Sequence, residues 1–102
     1  MTVVFTFWAK SCLKSIHDYY LEVASQEKAV DIANQIIETT QSLNKFSKRG
    51  RLVEELQELG KDHRYILALH FKIIYRIEKD KIYTTDVFST RQDPDSILKR
   101  NV

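Results

Sequence analysis

The chain has 102 residues, a formal net charge of +2 and 43% apolar side chains, enough for one domain with one modest core and too apolar for a disordered segment. Its Lys and Arg outnumber its Asp and Glu only 16 to 14. This mildly basic sum does not by itself indicate a nucleic-acid binder, and the distribution of charge matters more than its total. Cys12 is the single cysteine. It rules out an internal disulfide and fits a reducing cytoplasm.

No apolar run approaches the length of a membrane span, and residues 1–8 carry neither the basic region nor the cleavage site of a secretory signal. The expected location is the cytoplasm, with no membrane partner. Only two glycines and one proline occur, so few turns are forced and long elements with short links are expected.

Residues 3–7 are β-branched and aromatic and predict a first strand. From about Lys10 the period becomes helical, with Cys12, Ile16, Tyr19, Tyr20 and Val23 on one apolar stripe. No strong capping residue marks where this helix starts. Ser25 is a natural cap for a second helix, and Glu27 places a carboxylate in its first turn. Its stripe is Ala29, Ile32, Ala33, Ile36, Ile37, Thr40 and Leu43. The link between the helices is so short that they must fold back as a hairpin.

Gly50 punctuates the end of the helical region. Residues 52–56 fit either a short strand or a helical turn. Gly60-Lys61-Asp62 is a turn, residues 63–69 and 71–78 are strands, and Lys79-Asp80 closes a hairpin into a strand over residues 81–89. Asp93-Pro94 stops regular structure, and from about residue 95 a loosely ordered tail is expected. The order β, α, α, then three or four strands predicts an α+β fold, in one domain over residues 1–102. The helix hairpin should cover one face of a small antiparallel sheet and leave the other face open.

The last strands mix cations with apolar residues. Arg64, Lys72, Arg76 and Arg91 would form a cationic sheet face, suited to a phosphate backbone or an acidic protein. Lys45, Lys48, Arg49 and Arg51 cluster without an acid among them, ahead of the acidic Glu54, Glu55 and Glu58. No His, Cys or carboxylate pair has metal-ligand spacing with a second pair nearby, so no metal or cofactor is expected.

Trp8, Asp18-Tyr19-Tyr20, Ala29 with Ile32-Ala33, Gly50-Arg51-x-Val53-x-Glu55-Leu56, Arg64-Tyr65, the run Lys72 to Ile77, and Val87-Phe88-x-Thr90-Arg91-Gln92-Asp93-Pro94 follow one another along the chain. Together they resemble the RelE/ParE superfamily of bacterial type II toxin–antitoxin systems, the plasmid stabilization proteins. The resemblance implies a growth-inhibiting toxin neutralised by a cognate antitoxin. The antitoxin would wrap it with a helix along the hairpin and a strand at the sheet, and would itself make any specific DNA contact. RelE-like members cut mRNA on the ribosome. ParE-like members inhibit DNA gyrase and have no known hydrolytic chemistry.

Arg64, Lys72, Arg76 and Arg91 would stabilise a phosphorane in the RNase alternative. Residues 92–102 contain no Tyr and no His where that alternative wants an acid or base. Tyr75, Tyr83, His63 and His70 lie elsewhere, and nothing in the sequence puts one beside Arg91. The resemblance therefore favours the ParE branch, with gyrase as target and Arg51, Arg64, Lys72, Arg76 and Arg91 as contacts to target or antitoxin. A member that only binds its antitoxin is a third reading.

Each residue also has a structural reading. Strand alternation makes Tyr75 a core residue and leaves Lys72 and Arg76 as solvated groups. Arg64 and Arg91 fit ion pairs with Asp86 or Glu55. His63 and His70 fit hydrogen-bonded structural histidines, Cys12 a core position, and Trp8 an anchor between helix and sheet.

Overall fold

The computed structural model describes residues 1–90. Arg91 and the expected loose tail lie outside the described residues. In chain order the elements are β1 (Thr2–Phe5), α1 (Phe7–Val23), α2 (Gln26–Gln41), a single helical turn (Ser42–Asn44), β2 (Arg51–Leu52), a 3-10 segment (Glu54–Leu59), β3 (Arg64–Ala68), β4 (Phe71–Glu78) and β5 (Lys81–Ser89).

α1 starts three residues before the expected Lys10. Thr6 supplies the cap, its hydroxyl accepting from the Ala9 N–H at 3.2 Å. Its signal in the sequence was hidden because Thr6 also fits the strand before it. α2 begins where expected, with the Ser25 hydroxyl accepting from the Lys28 N–H at 3.1 Å. Only Ala24 and Ser25 separate the helices, so they run back along each other.

The sheet has five strands in the order β1-β5-β4-β3-β2. β2 to β5 pair antiparallel, as expected, but β1 joins the far edge parallel to β5. A parallel pair needs a long crossover, and here everything from α1 to β4 provides it. Residue patterns mark a strand, not its neighbour, so this pairing and the fifth strand were not readable from periodicity.

α2 presents Ala29, Ile32, Ile36 and Thr40 to the sheet, all buried, while Ile37 from the expected stripe is exposed. From α1 the half-buried Cys12, Leu13, Ile16 and Tyr20 pack on the core, but Tyr19 and Val23 of the expected stripe are 59% and 58% exposed. They lie on the exposed flank of the helix. Ile66, Phe71, Ile73, Tyr75, Ile82 and Val87 complete this core from the sheet. Each fully buried side chain of this kind contributes roughly 1.5–3 kcal/mol.

The second face of the sheet is not left open. After β2 the 3-10 segment folds over it, and Val53 and Leu56 cover Ile74 and Phe88. The ambiguity at residues 52–56 is thus resolved as the end of a two-residue strand followed by a helical cover. Central strand β4 is consequently buried on both faces at Ile73, Ile74 and Tyr75, all 0% exposed. Opposite Ile74 and Tyr75, β5 carries a bulge in which Asp86 pairs with Ile74, Thr84 pairs with Tyr75, and Thr85 is the extra residue.

Candidate functional site

Three features bear on a candidate site: the flank of α1, the outer sheet face, and the basic loop between α2 and β2.

Along α1, Trp8 and Tyr19 overhang a groove of about 510 Å³ whose far wall includes His70, Phe71 and Val87. Trp8 is tied down by its indole N–H, which donates to Asp86 Oδ1 at 3.3 Å, yet 46% of it remains exposed. It therefore anchors helix to sheet, as its position suggested, and also presents an apolar surface. Cys12 Sγ reaches the same carboxylate at 3.5 Å. Asp86 is 0% exposed and so acts as a buried acceptor joining α1 to the bulge of β5. The exposed His70 ring lies against Phe71 with centroids 4.2 Å apart, and its Nε2 is 3.5 Å from the Tyr20 hydroxyl.

The four cations expected to act together are distributed differently. In β3 the alternation puts Arg64 on the face of Ile66 and Tyr75, since Arg64 pairs with Tyr75. Lys72 and Arg76 leave β4 on the opposite face. Arg64 Nη1 donates to the Gly50 carbonyl at 2.8 Å and to the Lys48 carbonyl at 3.3 Å. It makes neither of the ion pairs considered from sequence. Lys72 stands over the Tyr65 ring, 4.5 Å from its centroid, a cation–π contact. Arg76 stands over the Tyr83 ring at 4.6 Å and pairs with Glu78. Arg91 lies outside the described residues. Among the described residues no group of three or more His, Cys, Asp or Glu side chains is placed to hold a metal ion.

The basic loop is held from below. The Tyr75 hydroxyl donates to the Ser47 carbonyl at 2.6 Å and accepts from the Gly50 N–H at 3.0 Å. Burial pushes the Tyr75 phenol above its ordinary range, with the Gly50 N–H and the nearby Arg64 and Arg49 opposing it, so the group stays a neutral donor. Gly50 is required by this approach, because a Cβ there would lie 2.5 Å from the Tyr75 hydroxyl and 2.7 Å from the Tyr65 carbonyl. Arg49 closes the other side, donating to Ser42 Oγ and the Thr39 carbonyl at the end of α2. The loop backbone is thus fixed while Lys45, Phe46, Lys48 and Arg51 remain exposed, Phe46 by 69%.

His63, 1% exposed, precedes β3, and its Nδ1 has no hydrogen-bond partner. The expectation of a structural histidine holds for its burial and fails for its hydrogen bonding. Desolvation first, then the charges of Arg76 and Lys61, hold its imidazole below the ordinary 6.5.

Sequence reasoning singled out Arg51, Arg64, Lys72 and Arg76 and read the α1 stripe as buried, so the exposed α1 flank was not anticipated. Trp8, Tyr19 and Val23 were a signal at helical spacing, yet spacing alone does not say whether a stripe faces the core or solvent.

A family model described as the ParE toxin of type II toxin–antitoxin system, parDE, matches residues 3–94. A solved structure described as the chromosomal ParDE TA system from P. aeruginosa is 21% identical, covering 87% of this chain and 95% of that chain with a TM-score of 0.76. At that identity the likeness is one of fold. No curated protein matches the chain.

Two outcomes follow from this geometry. Tyr75→Phe keeps the ring and leaves the Gly50 N–H and Ser47 carbonyl without their partner, so urea denaturation should show a loss of about 1–3 kcal/mol. For His63, the unfolded chain takes up a proton near pH 6.5 that the folded chain refuses. Stability should therefore fall as pH drops through that value and level off below the lower folded pKa. His63→Phe should flatten this slope in denaturation curves recorded across the same window.

Proposed function

The chain belongs to the ParE toxin family of type II toxin–antitoxin systems, and from that membership we propose that it arrests growth by binding DNA gyrase and is held inactive by a cognate antitoxin. The observation that carries a binding mode of action is the placement of its cations. A phosphorane needs its stabilising groups converged on one atom. Here Arg64 leaves one face of the sheet and is engaged with backbone carbonyls, whereas Lys72 and Arg76 leave the other over tyrosine rings. Arg51, Lys72 and Arg76 serve instead as contacts to a macromolecular partner, with Arg64 positioning the loop that bears Lys48. Gyrase as target puts the site of action in the cytoplasm, and no helix among the described residues is long and apolar enough to cross a membrane.

The antitoxin's place is the exposed flank of α1. Trp8, Tyr19 and Val23 are 46%, 59% and 58% exposed and follow one another at helical spacing, which suits the apolar stripe of a partner helix. Covering such side chains removes apolar surface from water and so favours the contact.

Pulse-labelling of DNA and protein synthesis within minutes of inducing the chain alone tests the target. DNA synthesis should fail first, with loss of supercoiling by purified gyrase. Early failure of protein synthesis with DNA synthesis intact would overturn the gyrase reading in favour of ribosome-dependent mRNA cleavage. Separately, Tyr19→Glu should remain folded by circular dichroism and arrest growth, but should no longer be rescued by the antitoxin.

A further inference from the structure

The loop between α2 and β2 is anchored largely through its backbone. The Phe46 carbonyl accepts from the Arg49 N–H at 3.3 Å, the Ser47 carbonyl from the Tyr75 hydroxyl, and the Lys48 carbonyl from Arg64. Because the tethers fall on the main chain, they leave side chains outside. Phe46 is 69% exposed and stands between the exposed Lys45 and Lys48, with the exposed Arg51 following. No ion pair joins Lys45, Lys48 or Arg51 to a carboxylate among the described residues. An aromatic ring held on a fixed backbone and flanked by cations has the form of an interface anchor. It offers a large apolar area with little left to order on binding.

We propose that Phe46, with Lys45 and Lys48, is the anchor by which the chain grips its target, and that the matching surface is an acidic protein face with an apolar recess for the ring. This rests on the reading that the chain acts by binding. The surroundings of the loop select protein over nucleic acid. A nucleic-acid strand needs cations along its whole path and rings for successive bases. Here one ring stands among the cations, and the exposed Glu54, Glu55 and Glu58 follow in the next element, so the positive surface is a bounded patch. A bounded patch is complementary to a cluster of carboxylates on a folded partner. The loop shares no residue with the groove along α1, so contacts to target and antitoxin are separable by mutation.

The test reads growth arrest in cells induced for the chain alone, beside inhibition of supercoiling by purified gyrase holoenzyme. Phe46→Ala, and a double variant with Lys45→Glu and Lys48→Glu, should keep the wild-type circular dichroism and still be retained by co-expressed antitoxin. Both should raise the dose needed for arrest roughly tenfold or more. A control with Lys10→Glu and Lys28→Glu, equal in charge and placed on the exposed helix surface, should arrest growth as the wild type does. Arrest that is lost in the loop variants while gyrase is unaffected throughout would support the anchor and refute gyrase as its target. Arrest unchanged in both loop variants would overturn the anchor and leave the gyrase reading standing. Loss of antitoxin retention in Phe46→Ala would also overturn it, since the loop would then belong to the antitoxin. So would Phe46-dependent binding of a fluorescein-labelled oligothymidine more tightly than of gyrase.

Discussion

The hydroxyl of Tyr75 is the contact on which the described surface depends. It sits at the centre of β4, is fully buried, and spends both its donor and its acceptor on the loop between α2 and β2. A buried phenol without partners would be costly, so the loop and the core hold each other in place. Gly50 makes the approach possible because it has no Cβ to collide with the ring. Arg64 adds a second tether to the same loop from the neighbouring strand. A cationic segment that would otherwise be a mobile connection becomes a fixed feature of the fold.

That tether explains the division of the molecule. One sheet face is given to the helix hairpin and the main core. The other is shared between the 3-10 cover over Ile74 and Phe88 and the cations stacked on Tyr65 and Tyr83. Cation–π contacts hold Lys72 and Arg76 extended over the sheet, so their charge stays near the surface without a buried ion pair. The apolar flank of α1 lies on a different side again. Surfaces of different chemistry therefore lie on separate parts of a small domain.

Much of the local structure was legible before any coordinates. Ser25, Glu27 and the period of α2 located the second helix, because capping and amphipathicity act within a few residues. The strands and the Lys79-Asp80 turn followed from alternation and turn chemistry. Thr6 was missed as a cap since it fits equally well at the end of a strand. Arg64 was read as a phosphate ligand or ion-pair partner, yet its acceptors are carbonyls 14 and 16 residues earlier, and backbone acceptors leave no trace in side-chain identity.

The sequence by itself determined the α+β class, the helix hairpin, the order of the later strands and the burial of Tyr75, all consequences of periodicity and short-range chemistry. Only the tertiary structure decided that β1 lies parallel to β5, that the second sheet face is covered, and that Arg64 faces away from Lys72 and Arg76. It also decided that Tyr19 and Val23 are surface and not core. These depend on which elements become neighbours, and neighbours far apart in the chain are chosen by packing, where the residue pattern of any one segment carries no address for its partner.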